Sequence, residues 1–106
     1  MATNQVVGEN IELSGETFVL PPIPLVRMAG IKKLLSGGDF TEDPEYVGNL
    51  IDAIYWSLLR NYPELDRKTV EDGVDMVNIK ELLDAFMLTN GLSTKADQPG
   101  EVKASQ

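Results

Sequence analysis

One segment, residues 43–63, carries both a helix start signal and a helix stop signal and holds most of the aromatic residues of the chain. Asp43 fits an N-cap, and Pro44 fits the first helical position because a proline there loses no intrahelical hydrogen bond. Pro63 disfavours helical geometry at Tyr62 and ends the run. The apolar residues between these signals recur at helical spacing and form a wide face: Val47, Leu50, Ile51, Ile54, Tyr55, Leu58, Leu59 and Tyr62. We therefore predict a long amphipathic helix that supplies the core of a small helical protein.

Shorter elements are predicted before this helix. Residues 11–13 and 17–20 are β-prone runs on either side of Ser14-Gly15, and Gly readily takes the positive φ that a tight hairpin requires. The prolines of residues 21–24 end the second strand, and Pro24 can open a helix with Leu25, Met28, Ala29, Leu34 and Leu35 at roughly helical spacing. Residues 36–38, Ser-Gly-Gly, end that helix.

Two further helices are predicted in the C-terminal half. Asp66 can cap a short helix over residues 67–72. Asn78 and Glu81 have the spacing of a capping box, in which each side chain bonds the backbone N–H of the other, and the apolar residues that follow have helical spacing. Asn90-Gly91 then fits a left-handed C-cap, because a helix pattern precedes it and no strand follows.

The predicted fold class is therefore mainly α, a small helical domain of three to four helices with an N-terminal β-hairpin. We place this domain at residues 10–92, after a flexible N-terminus at 1–9 and before a polar tail at 93–106. The tail is nearly free of large apolar groups and cannot bury enough surface to offset its ordering entropy, so we predict that it is disordered. A length of 106 residues fits one domain.

The net charge and the composition exclude several classes of partner and of catalytic site. The formal net charge of −8 disfavours nucleic acid as a partner, because phosphate binding needs clustered Lys and Arg. The chain has no Cys and no His, which removes thiolate catalysis and both the commonest metal ligand and the commonest general base. No stretch approaches the ~20 apolar residues of a membrane-spanning helix, and the N-terminus lacks the pattern of a signal peptide. We predict a soluble intracellular protein, not an enzyme, without metal or cofactor.

The long helix offers the first candidate partner-binding site. Tyr55 and Trp56 are adjacent in sequence, so on a helix their side chains point about 100° apart. Both can be fully buried only if the helix is covered on two sides, and we expect one of them to be part-exposed. An exposed aromatic beside Leu59 is suited to anchor a protein interface.

The helix after Pro24 offers the second candidate. Arg27, Lys32 and Lys33 make it the only basic element of an acidic protein. One interpretation is internal charge balance with the acidic start of the long helix, since isolated surface charges need no special role. The other is a docking face for an acidic partner. The sequence leaves both open.

Four motifs follow one another in a distinctive order. Ile-Glu-Leu-Ser-Gly-Glu-Thr-Phe-Val-Leu-Pro-Pro occupies residues 11–22, and Leu-Leu-Arg-Asn-Tyr-Pro-Glu-Leu occupies 58–65. Thr-Val-Glu-Asp follows at 69–72, and Asn-Ile-Lys-Glu-Leu-Leu-Asp-Ala-Phe at 78–86 leads into Asn-Gly-Leu. Over roughly residues 10–92, this arrangement resembles the tail assembly chaperones of long-tailed bacteriophages.

The resemblance implies a non-enzymatic role in tail morphogenesis. Such proteins bind the tape measure protein, keep its long apolar helices from aggregating and help recruit tail tube subunits. They act in the host bacterial cytoplasm, are not expected in the mature virion, and many are also made in a longer frameshifted form. No motif of the family fixes individual binding residues, so none is assigned from it.

An alternative function follows from the charge. An acidic protein of this size can be a regulator or inhibitor that blocks a basic protein surface, and its binding would strengthen sharply at low salt. Self-association into a homo-oligomer also remains open at this stage, as do the identity of the partner and the residues that bind it.

Overall fold

The structure is a computed structural model and describes residues 6–92 of the chain. The elements in chain order are β1 (Glu9–Leu13), β2 (Glu16–Leu20), a 3₁₀ helix (Leu25–Ile31), α1 (Lys32–Leu35), α2 (Pro44–Leu58), α3 (Arg67–Gly73) and α4 (Ile79–Thr89). The predicted class is confirmed, since a two-stranded antiparallel hairpin precedes a small set of helices. The predicted tail at 93–106 and the first five residues of the predicted flexible N-terminus lie outside the described residues.

The hairpin turns at Ser14-Gly15, as the sequence predicts. The φ angles of these residues are 52° and 83°, and positive values at both positions are what a two-residue turn needs to match the twist of its strands. The turn sets a register in which Leu13 faces Glu16 and Ile11 faces Phe18. This register places alternate apolar side chains of both strands on the face that the helices cover.

One core joins the hairpin to the helices. Leu13, Leu20, Ile54 and Phe86 come from four different elements and are all fully buried. The long helix α2 lies at the centre, because it packs against β2, the 3₁₀ helix, α1, α3 and α4. The strand β1 packs instead on α3 and α4. The strand β2 packs on α4 as well, so α4 supports both strands, whereas α2 supports β2 and α3 supports β1.

The predicted N-caps are confirmed for α2 and α3. The Asp43 carboxylate accepts a hydrogen bond from the Glu45 N–H at 3.0 Å, and Pro44 is the first residue of α2. The Asp66 carboxylate accepts one from the Lys68 N–H at 3.2 Å. Each cap satisfies a backbone donor that the first helical turn leaves without a partner.

The predicted C-cap of α4 is also confirmed. Gly91 has a φ of 71°, in the left-handed region. The Leu92 N–H donates to the Met87 carbonyl at 2.8 Å and the Gly91 N–H to the Leu88 carbonyl at 3.1 Å, which together form a Schellman motif. The helix therefore ends because a glycine can take this conformation at no steric cost.

The predicted capping box of α4 is wrong. Asn78 makes no side-chain cap to this helix. Its Oδ1 accepts from the Asp75 N–H at 2.9 Å, and its Nδ2 donates to the Gly73 carbonyl at 2.7 Å. The amide closes the loop between α3 and α4, so it is not available to pair with Glu81.

The single helix predicted after Pro24 is divided in two. Leu25–Ile31 is wound as a 3₁₀ helix, and only Lys32–Leu35 is α-helical. Gly30 lies against the indole of Trp56, where a Cβ atom would come within 2.9 Å of Cη2. This close packing favours glycine, which weakens an α-helix by about 1 kcal/mol relative to alanine.

The helix α2 ends at Leu58, before the predicted stop at Tyr62. The following residues form turns, in which the Tyr62 N–H donates to the Leu58 carbonyl at 2.8 Å. Their side chains reach the hairpin: the Tyr62 hydroxyl accepts from the Val19 N–H at 2.8 Å. Asn61 exchanges two hydrogen bonds with the backbone of Val6, at 2.7 and 2.9 Å. The side chains of the residues that follow α2 therefore hold Val6 and the strand β2 in place.

Two glycines provide a matched test of this packing. Gly73 is buried, and a Cβ there would lie 2.8 Å from the Leu13 Cβ, whereas nothing lies within 4 Å of a Cβ at Gly48 in the middle of α2. We expect Gly73→Ala to lower the free energy of unfolding by about 1–3 kcal/mol through overpacking. Gly48→Ala should raise it by about 1 kcal/mol through helix propensity. Urea unfolding of both variants measures the difference, and shifts of the same sign would contradict the packing described for β1 on α3.

Candidate functional site

The only tryptophan of the chain lies between the 3₁₀ helix and α2. The guanidinium carbon of Arg27 is 4.9 Å from the centroid of the Trp56 ring, a distance typical of a cation–π contact. Gly30 contacts the far edge of the same ring. Two residues predicted as parts of separate sites, Arg27 and Trp56, are therefore brought together.

Tyr55 and Leu59 extend this surface along α2. Both are partly exposed, and so is Trp56. Tyr55 and Trp56 also pack against the core, so each ring has a buried part and an accessible part. Amphipathic aromatics in this position are common anchors of protein interfaces. We refer to Arg27, Tyr55, Trp56 and Leu59 as the Trp56 surface.

Sequence reasoning missed two strongly exposed apolar residues next to Arg27. Leu25 and Val26 open the 3₁₀ helix and are 83% and 84% exposed. Leu25 had been expected on the apolar side of an α-helix, but a segment this short has too few turns for its periodicity to separate buried from exposed positions. Single exposed apolar residues are ordinary on protein surfaces, whereas two adjacent ones that directly precede the arginine over Trp56 suggest a contact area.

The two lysines of the second candidate site have different surroundings. The Lys33 Nζ lies 3.1 Å from the Asp43 Oδ2, across the loop between α1 and α2. The hydrogen bond from Lys33 holds the pKa of Asp43 below its ordinary value, and the same bond raises the pKa of Lys33. The charge-balance interpretation therefore fits Lys33. Lys32 is exposed and forms no ion pair within residues 6–92.

A second concave surface lies between the hairpin and the C-terminal helices. It is a groove of about 490 Å³, a volume within the usual range of ligand pockets. Residues of both strands, the hairpin turn, α3, α4 and the loop between these two helices line it, and among these described residues there is no Lys or Arg. The carboxylates that line it are Glu12, Asp72, Asp75 and Glu81. No sequence pattern indicates this grouping, because the four acids belong to separate parts of the fold.

Residues 6–92 contain neither a cluster of metal-ligating side chains nor a helix able to cross a membrane. No three carboxylates in this part of the chain are placed to hold a metal ion together. None of the described helices has the length and apolar character needed to cross a bilayer. The absence of enzymatic activity stays a prediction, which rests on composition.

The Lys33–Asp43 pair predicts how stability depends on pH. Because folding lowers the pKa of Asp43 below 3.8, the stabilisation is fully present above that pH and is lost as the pH falls through the lowered value. Asp43→Asn keeps an equally good N-cap and removes the charge. We expect the variant to be less stable than the wild type at neutral pH, with the difference disappearing in acid. Denaturant midpoints across this range measure it. A constant difference would contradict the assignment, and Glu42→Gln controls for net charge.

Comparison with known proteins adds no relative. No protein-family model matches the chain, and no curated protein and no solved structure matches it significantly. The resemblance to tail assembly chaperones therefore stays a prediction from the motifs. The features that bear on its function are the Trp56 surface, the groove and the net charge.

Proposed function

We propose that this protein is a non-enzymatic tail assembly chaperone. It binds the apolar helices of a tape measure protein in the host bacterial cytoplasm, recruits tail tube subunits during tail morphogenesis and is not retained in the virion. The observation that carries the proposal is the partly exposed Trp56, whose ring Arg27 overlies, together with the exposed Leu25 and Val26 that directly precede Arg27 in the 3₁₀ helix. The motif order of the sequence supplies the phage context.

The Trp56 surface has the chemistry of a site that accepts an amphipathic helix. Trp, Tyr and Arg are the residue types that most often dominate binding energy at protein interfaces. Because Trp56 is held between Arg27 and Gly30, its ring loses little further freedom when a partner docks, which favours affinity. A helix laid on this surface would place its apolar positions on the indole and on Leu59.

Charge supports the same role. A net charge of −8 on 106 residues keeps copies of the chaperone apart while an apolar surface stays accessible. Lys33 is already paired with Asp43. The basic residues that belong to the Trp56 surface or directly follow it in sequence are Arg27, over the Trp56 ring, and the exposed Arg60, next to Leu59. They suit the acidic positions that flank the apolar stripe of an amphipathic helix.

Co-expression with a tape measure fragment tests the proposal. We expect the wild-type chain to raise the soluble yield of the fragment, and Leu25→Ser with Val26→Ser to weaken binding by about tenfold or more, as for the loss of interface anchors. Both residues are more than four-fifths exposed, so the unfolding midpoint should not change. The matched control is Val7→Ser with Val77→Ser, which removes apolar side chains 84% and 91% exposed elsewhere.

Trp56 provides a second readout, because it is the only tryptophan in the chain. Titration with a tryptophan-free tape measure fragment should shift its emission, and the shift should persist at high salt. A fragment that stays aggregated, or an emission that does not respond, would refute the proposal. Binding confined to basic proteins at low salt would instead favour the alternative, an acidic inhibitor of a basic protein surface.

A further inference from the structure

The outer edge of β1 presents backbone groups that have no partner. In a two-residue hairpin the residues next to the turn form a hydrogen-bonded pair, here Leu13 with Glu16. Bonded and non-bonded pairs alternate along an antiparallel ladder. The N–H and C=O groups of Asn10 and Glu12 therefore point away from β2. Within residues 6–92, no hydrogen bond reaches them.

The outer edge of β2 is treated differently. Its Val19 N–H donates to the Tyr62 hydroxyl at 2.8 Å, and its Val19 carbonyl accepts from the Asn61 Nδ2 at 3.5 Å. Side chains thus cap the outward groups of Val19 on β2, whereas within residues 6–92 they cap neither outward residue of β1. An open edge is a template for another strand unless something covers it.

The groove runs along this open edge. The consecutive residues Asn10, Ile11 and Glu12 all line it, although their side chains alternate between the two faces of the strand. Thr17 of β2, which pairs with Glu12, and the turn residues Ser14 and Gly15 line it too, so the groove follows β1 as far as the turn end of the hairpin. The opposite wall includes Leu82 and Ala85 of α4, which offer apolar contact to alternate side chains of an added strand.

The charges of the groove select the chemistry of its occupant. Asp75 is engaged locally, because its carboxylate accepts from the N–H groups of Val77 and Asn78. Asp72 lies 3.3 Å from the Lys68 Nζ, in an exposed pair. Glu12 and Glu81 line the groove without an ion-pair partner among the described residues. An occupant must therefore bring positive charge.

We propose that the groove binds an extended, Lys- or Arg-rich segment of a protein partner as a third strand on β1. The backbone of that segment pairs with the backbone of Asn10 and Glu12, and its basic side chains reach the Glu12 and Glu81 carboxylates. A second copy of the chain is a poorer occupant, because pairing of β1 with itself would bring the Glu9 and Glu12 side chains of two acidic proteins together. The groove shares no lining residue with the Trp56 surface, so the proposal does not rest on the chaperone role.

Synthetic peptides test the mode of binding to the full chain. The probe is a peptide of alternating Lys and Val, and one control replaces each Lys by Glu. A second control is the Lys–Val peptide with all backbone amides N-methylated, which has the same charge but cannot donate to the strand edge. We expect binding of the first peptide alone, with NMR amide shifts centred on Asn10 and Glu12. Equal binding of the N-methylated peptide, or shifts elsewhere, would overturn strand addition.

Matched charge variants test the role of the groove carboxylates Glu12 and Glu81. Glu12→Gln with Glu81→Gln should weaken binding of the Lys–Val peptide roughly three- to tenfold, as expected for the loss of two exposed ion pairs. Glu42→Gln with Glu64→Gln removes the same charge outside the groove and should change affinity by less than about twofold, because screening limits its reach. Equal effects of the two pairs would overturn the assignment of the site.

Asn10→Pro tests the edge itself. The substitution removes the outward N–H but no bond of the β1–β2 ladder, and proline is tolerated on such edges. We expect peptide binding to be lost while the unfolding midpoint and the emission response of Trp56 to a tape measure fragment persist.

If the variant does not fold, the N-methylated peptide decides the question. Dimerisation of the wild-type chain that competes with the peptide would identify a second copy as the occupant and overturn the proposal.

Discussion

The hairpin holds its place in the fold through the residues that follow α2. A two-stranded hairpin is marginal in water by itself, so its position depends on what packs against it. Tyr62 contributes twice: its hydroxyl accepts the Val19 N–H, and its ring meets Phe18 edge-on with 5.2 Å between centroids. Asn61 adds the bonds to Val6. Because these side chains lie in the turns that follow Leu58, the end of α2 also fixes the hairpin.

The unequal support of the two strands creates the functional surfaces. Side chains of the residues that follow α2 bond to the backbone of β2. The strand β1 packs on α3 and α4, where Leu13 contacts Gly73. The groove is the space that this arrangement leaves along the free edge of β1. On α2, the side that faces the 3₁₀ helix holds Trp56 against Gly30. Both surfaces therefore depend on a glycine that lets two elements approach closely: Gly73 where α3 meets β1, and Gly30 where the 3₁₀ helix meets α2.

The sequence predicted the features whose causes are local. Asp43, Asp66 and Gly91 act on backbone groups within a few residues, so their positions in the sequence are enough to identify them. One error arose from packing between residues far apart in the sequence, and the other from a loop hydrogen bond that competes with the cap. The packing of Gly30 on Trp56 accompanies the divided helix, and the bond from Asn78 to the Gly73 carbonyl replaces the expected capping box.

The same distinction applies to the candidate sites. The Trp56 surface could be anticipated because Tyr55, Trp56 and Leu59 lie on one helix, and helical geometry alone relates them. That Arg27 stacks on the indole depends on how the 3₁₀ helix crosses α2, which no local pattern encodes. The acidic groove brings Glu12 to Glu81 across most of the chain, so it could be recognised only after folding.

The net charge works against self-association of a chain that has an open strand edge and exposed apolar residues. At physiological salt, charges are screened beyond about 8 Å, so a charge of −8 does little until two copies come close. At contact, however, Glu12 on the open edge and its acidic neighbours oppose the approach of an identical edge. The same carboxylates attract a segment of opposite sign. One set of side chains therefore excludes the wrong occupant and recruits the right one, and the sign of the partner's charge decides between them.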